Sequence, residues 1–136
     1  MKILNIAVCC VALVLGSGLA VADDAAKLIE MDKAWGEAKG PGDVKGLFHD
    51  EFISLEGNGP GYEEQALAAM AEAGSEDGPY VAGDYVVRFL GKKTAVMVHS
   101  AGVGTDAHWS MHVWKKSDGK WQVAATASVP AASEGN

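Results

Sequence analysis

The chain has 136 residues, with 18 acidic against 11 basic side chains and a formal charge of −7 at pH 7. An acidic surface of this kind disfavours nucleic acid and anionic membrane as partners, since both would repel it. The length suits a single domain and leaves no room for a second core beside a leader.

Lys2 precedes an apolar run from Ile3 to Leu15, which gives way to the small-residue stretch Gly16 to Ala22. A basic start, a short apolar core and a small-residue exit predict a secretory signal peptide over 1–22, cleaved after Ala22, and not a membrane span. The expected location is periplasmic or secreted, with no membrane attachment after cleavage. Cys9 and Cys10 are the only cysteines and both lie in this leader. The remaining chain then has no thiolate for catalysis, disulfide bonding or metal ligation. Ala7 and Val8 ahead of Cys9 do not form a lipidation signal.

Residues 23–130 read as one domain, with 131–136 as a small polar tail. Leu28, Met31, Trp35 and Ala38 recur at helical spacing and predict a helix from about Asp24 to Lys39, with Lys27, Glu30, Asp32 and Lys33 on its wet side. Gly40-Pro41-Gly42 stops it. Asp43 is placed to cap a short second helix ending at Phe48. Phe52 to Glu56 predicts a strand, with Phe52, Ser54 and Glu56 on one face and Ile53 and Leu55 on the other. Gly57 to Gly61 reads as a loop, and Tyr62 to Ala73 as a third helix closed by Gly74 to Pro79. Strands follow at Tyr80 to Leu90 and Thr94 to Ala101.

The strongest local signal is His108 to Val129, where two β-prone runs flank Asp118-Gly119. Pairing Lys116 with Trp121 sets Trp114 against Val123, His112 against Ala125 and Ser110 against Ala127, with Met111 and Thr126 on the opposite face. The predicted fold is α+β, a cone-shaped curved antiparallel sheet packed against three N-terminal helices, its open end able to hold a small ligand.

Leu28-x-x-Met-x-x-x-Trp35, Gly42-Asp43 before Leu47-Phe48, Asp50-Glu51-Phe52, His112-Val-Trp114 and Asp118-Gly-Lys-Trp121-Gln-Val together resemble the nuclear-transport-factor-2-like (NTF2-like, cystatin-like) superfamily. The closer resemblance is to its SnoaL-like or DUF4440-like branch, over nearly all of residues 24–129. It implies a cone-shaped fold, a homodimer formed through the outer sheet face, and a cavity that varies between members. The same register places Glu56 where isomerase-like members carry a carboxylate base. It also sets Trp35 where they carry an oxyanion-hole tyrosine. An indole NH is no substitute for that phenol, so the isomerase signature is broken.

Two candidate catalytic residues emerge, Glu56 as a base and His112 as an orienting or acid residue. Trp35, Trp114, His99, Arg88 and Tyr62 are the candidate ligand-pocket residues, suited to a small hydrophobic or aromatic molecule. His99, His108 and His112 can meet as a zinc or copper site only if neighbouring strands fall in the right register, and the expectation is no metal and no cofactor. Phosphate-loop, nucleophile-elbow and zinc-helix motifs are all missing. The sequence thus points to an exported binding domain of unknown ligand. The alternatives are a proton-transfer isomerase or cyclase on a small hydrophobic substrate, and a non-catalytic protein-interaction module.

Overall fold

The computed structural model describes residues 16–73 and 79–132. The apolar part of the expected leader before Gly16, most of the turn expected at Gly74 to Pro79, and the tail beyond residue 132 lie outside the described residues. Helix α1 spans Gly16–Gly36, strand β1 Phe48–Glu56, β2 Gly59–Gly61, helix α2 Glu63–Ala73, β3 Ala82–Phe89, β4 Thr94–Ala101, β5 His108–Ser117 and β6 Lys120–Pro130. Helix α1 contains Leu28, Met31 and Trp35 of the expected apolar stripe but ends at Gly36, short of Ala38 and of the expected Lys39, and at its other end includes Ala22 and Asp23.

The expectation of three N-terminal helices is wrong: the described residues hold two α-helices, and α2 follows two strands. The segment expected as a second helix forms only a 3-10 turn at Pro41–Val44. Gly46 adopts a φ of +76°, the left-handed conformation that ends helices, and so short a segment cannot repay helix nucleation. Phe48 instead opens β1 and pairs with Val123. The stretch read as a glycine-rich loop contains a tight turn and then β2, which pairs antiparallel with β1.

The six strands form one sheet in the order β2-β1-β6-β5-β4-β3. Its pairs are antiparallel except β1 and β6, which run parallel, so the sheet is mixed and not purely antiparallel. The final strand inserts between the first strand and the β3-β4-β5 meander. Phe48, Phe52, Ala95, Met97, Trp114, Trp121 and Val123 are buried together with Leu28 from α1 and Val44 from the 3-10 turn.

At the Asp118-Gly119 turn both residues have positive φ, 50° and 76°, as a two-residue hairpin of matching twist requires. The expected pairs Lys116 with Trp121 and Trp114 with Val123 are present. Beyond them the register shifts, because Val113 pairs with Ala125 while Trp114 pairs with Val123, leaving Ala124 as an extra residue in β6. His112 therefore faces Thr126 and Ser110 faces Ser128, in place of the alanines expected there. This bulge turns two hydroxyl side chains onto the face that carries Trp114.

Candidate functional site

The central residue is one that periodicity assigned to solvent. Asp32 follows Leu28 by one helical turn and precedes Trp35 by three residues, so it falls on the inward stripe of α1 and is only 1% exposed. A carboxylate is rarely buried to this degree without partners. Its neighbours come from the sheet: His99 on β4 and His112 on β5 project from the same face, since His99 pairs with Ser110 and His112 with Met97. His112 Nδ1 lies 2.7 Å from Asp32 Oδ1. His99 Nε2 lies 3.3 Å from Asp32 Oδ2. Tyr85 on β3 donates its hydroxyl to the same Oδ2 at 2.9 Å.

Tyr85 reaches the carboxylate through a local irregularity. Gly83 pairs with Ser100 and Val86 with Val98, so β3 carries one residue more than β4 over that step. Asp84 sits at a φ of 52°, with its carboxylate accepting the Ser100 hydroxyl at 2.9 Å. The Tyr85 ring stacks on His99 with centroids 4.8 Å apart and a 20° interplanar angle. Trp35 covers His112 from the helix side at 5.0 Å between centroids.

Burial alone would raise the Asp32 pKa, but His112 and then His99 outweigh it and hold the carboxyl well below the usual carboxylate range. His99 moves the other way: burial would lower it, while Asp32 and the Ser100 carbonyl together carry it above the usual histidine value. Burial, reinforced by the nearby Asp32 charge, pushes the phenols of Tyr85 and Tyr80 upward. The centre thus holds one fixed negative charge ringed by groups that can donate to it.

A cavity of about 220 Å³ opens beside this centre. Trp35 and Tyr80 supply aromatic walls, Ser110, Thr126 and Ser128 supply hydroxyls, and Asp32 and His112 supply the polar end. Gly36 completes the lining, and both it and Ser128 are exposed. Gly36 has a definite role, because a Cβ there would collide with the Tyr80 ring. The volume falls below the roughly 300 Å³ at which drug-sized pockets begin, so the space suits a molecule smaller than a steroid.

Among the residues singled out from sequence, Trp35 and His112 line the cavity. His99 lies behind the wall against Asp32, and Trp114 is wholly buried in the core. Arg88 is exposed, on a strand position alternate to Tyr85, Val87 and Phe89. Tyr62 is 53% exposed ahead of α2. Glu56 is exposed at the end of β1, where it accepts the Ser54 hydroxyl at 2.7 Å. His108 does not join the other two histidines; its Nδ1 meets the Asp106 carbonyl at 2.7 Å. Asp32, Tyr80, Tyr85 and the Ser110, Thr126, Ser128 hydroxyls were missed. For Asp32 a signal existed in the acid occupying an inward position between Leu28 and Trp35.

No family model matches the chain, and no curated relative matches it. Solved structures do. An NTF2-like protein from Cytophaga hutchinsonii is 20% identical with a TM-score of 0.62, over 83% of this chain and 98% of that one. A DUF3225 protein of unknown function from Pectobacterium atrosepticum is 20% identical with a TM-score of 0.66, over 85% of this chain and 94% of the other. A hexachlorocyclohexane dehydrochlorinase from Novosphingobium barchaimii is 14% identical with a TM-score of 0.64, over 85% and 89%. At these identities the likeness is one of fold, and the chain has the NTF2-like α+β fold with a curved sheet.

Proposed function

We propose that this NTF2-like chain is an exported small-molecule-binding domain whose ligand lies in the cavity between α1 and the sheet, with a polar group turned toward Asp32 and His112. The observation that carries the reading is a buried carboxylate exposed to a cavity whose other walls are aromatic and hydroxyl-bearing. Those walls favour a compact, partly planar molecule with at least one oxygen or nitrogen. The outer sheet face presents Ile53, Leu55, Trp109, Met111 and Val129 to solvent, which supports a homodimer formed through that face. The sequence pattern around Trp35, Trp114 and Trp121 supports a place in the SnoaL-like or DUF4440-like branch.

Ligand-observed NMR with a library of small aromatic and hydroxylated fragments tests the binding reading. Fragments should bind the native protein and lose contact when Thr126→Trp fills the cavity. Equal binding to both proteins, or to neither, would remove it.

A second reading, chemistry on the bound molecule, is favoured by the 2.7 Å approach of His112 to Asp32 at the cavity wall. A carboxylate-supported imidazole can take a proton from a substrate held within reach. The dehydrochlorinase among the fold neighbours catalyses a loss of HCl, an elimination that requires proton removal. Solvent deuterium incorporation into a bound fragment, present in the native protein and lost in His112→Gln, is the expected sign; a fragment that binds without exchange argues for binding alone.

A further inference from the structure

The atoms at the buried centre are close together but poorly matched as a hydrogen-bonded set. Among the described residues, Asp32 Oδ1, His99 Nε2 and His112 Nδ1 are buried and have no directed hydrogen bond, although the three side chains converge. The only other such atoms are the indole nitrogens of Trp114 and Trp121, so the unsatisfied carboxylate and imidazole atoms all gather at one point. The residues bearing them are 1%, 1% and 6% exposed for Asp32, His99 and His112, so they are removed from the surface, with the cavity beside Asp32 and His112 as the approach for solvent. Leaving even one buried polar group unsatisfied is destabilising, because its desolvation is not compensated.

The tautomer of His99 sharpens the problem. Its Nδ1 lies 3.1 Å from the Ser100 carbonyl, an acceptor only, so Nδ1 carries a hydrogen. In the neutral ring Nε2 is then a bare lone pair, and it faces Asp32 Oδ2 at 3.3 Å. Two lone pairs turned toward each other need a cation between them, either a proton on Nε2 or a metal ion. A proton on Nε2 has no in-line acceptor, and an ion coordinated by both atoms would fill the gap between them.

We propose that Asp32, His99 and His112 form a binding site for one divalent first-row transition ion, a two-histidine, one-carboxylate centre open on the cavity side. The candidate donor atoms all lie within 4.8 Å of one another. Ligands at zinc-like bond lengths of about 2.0–2.1 Å stand roughly 3.3 Å apart in a tetrahedron; His99 Nε2 and Asp32 Oδ2 already have that separation, while His112 Nδ1, 2.7 Å from Asp32 Oδ1, must move outward to admit an ion. The surrounding contacts are those of a metal centre: the second nitrogen of His99 is fixed by a backbone carbonyl, and the carboxylate is fixed by the Tyr85 hydroxyl. Nitrogen and oxygen donors without sulfur favour zinc, iron(II) or cobalt(II) over copper(I). Three protein donors leave a coordination position for water or a ligand atom, and the cavity lined by His112, Ser110 and Thr126 lies beside it. The inference concerns the same cavity as the binding reading but stands without it. An ion on Nδ1 would make His112 a ligand and no longer a free base.

Cobalt(II) alone is the probe, added to tag-free protein that has been treated with chelator and dialysed. One equivalent per chain should produce visible d–d bands, and zinc(II) should displace them. His99→Ala and His112→Ala should abolish the bands. Tyr85→Phe, which keeps the ring stacked on His99 and removes only the hydroxyl, should bind cobalt about 10–100-fold more weakly while keeping the native circular dichroism spectrum. An absence of stoichiometric bands in the native protein would overturn the proposal, as would bands of equal affinity in the native protein, Tyr85→Phe and the histidine variants. Neither failure would affect fragment binding in the cavity, which is measured without metal.

Discussion

At the scale of single residues, Asp32 determines the character of the molecule. Its carboxylate is removed from water by α1 and the sheet, and this is tolerable only because Tyr85, His99 and His112 approach it. Tyr85→Phe removes one charge-assisted hydrogen bond and leaves the ring in place. Urea unfolding should show a loss of about 1.5–3 kcal/mol, the range for hydrogen bonds to charged groups; an unchanged midpoint and slope would mean that the hydroxyl contributes nothing. Gly36 is the second sensitive point. Gly36→Ala forces the Tyr80 ring out of position, and overpacking of this kind costs about 1–3 kcal/mol. The expected outcome is a lower thermal midpoint together with weaker fragment binding. A variant with both properties unchanged would show that the ring moves freely and does not shape the cavity.

At the scale of elements, the Ala124 bulge decides what the cavity contains. Without it, the register fixed by the Asp118-Gly119 turn would carry Ala125 and Ala127 inward; with it, Thr126 and Ser128 line the space. Deleting Ala124 should therefore leave Thr126 opposite His112 and Ser128 opposite Ser110 in a regular ladder and preserve fragment binding, checked by NMR alongside circular dichroism. Loss of binding in a folded deletion variant would contradict the bulge's assigned role. The bulge explains why the site was only partly legible in the sequence. The turn and its first pairs follow from local chemistry, because Asp-Gly selects a two-residue hairpin. The extra residue does not, since Gln122-Val-Ala-Ala-Thr126 carries no local mark of where the ladder slips. Apolar spacing similarly identified the inward Leu28 and Trp35 of α1 but treated every charged residue as wet, and so misplaced Asp32. The 3-10 turn reads as a helix in the sequence because its capping residue and apolar positions look helical, while the conformation of Gly46 emerges only in the fold.

At the scale of the whole molecule, the sheet separates two kinds of surface. Its inner face carries Trp114, Met97 and Val123 into the core and His99 and His112 toward Asp32. Trp114 is wholly buried, so Trp114→Ala should cost about 3–5 kcal/mol in unfolding experiments. Its outer face leaves Trp109 at 41% and Met111 at 46% exposure on the central strand β5. Pairing of these faces predicts a dimer by sedimentation velocity, converted to a monomer by Met111→Lys; a native monomer at micromolar concentration would contradict it. The parallel pairing of β1 with β6 was the least legible feature of all, since it joins the beginning and end of the domain and no neighbouring turn specifies it.

Anomalous diffraction at the zinc edge, from crystals of tag-free protein grown with zinc(II), tests the buried centre most directly. The predicted result is one peak about 2.0–2.2 Å from His99 Nε2, His112 Nδ1 and a carboxylate oxygen of Asp32, beside the cavity. Well-ordered side chains at that place with no anomalous peak between them, in crystals saturated with zinc, would contradict it.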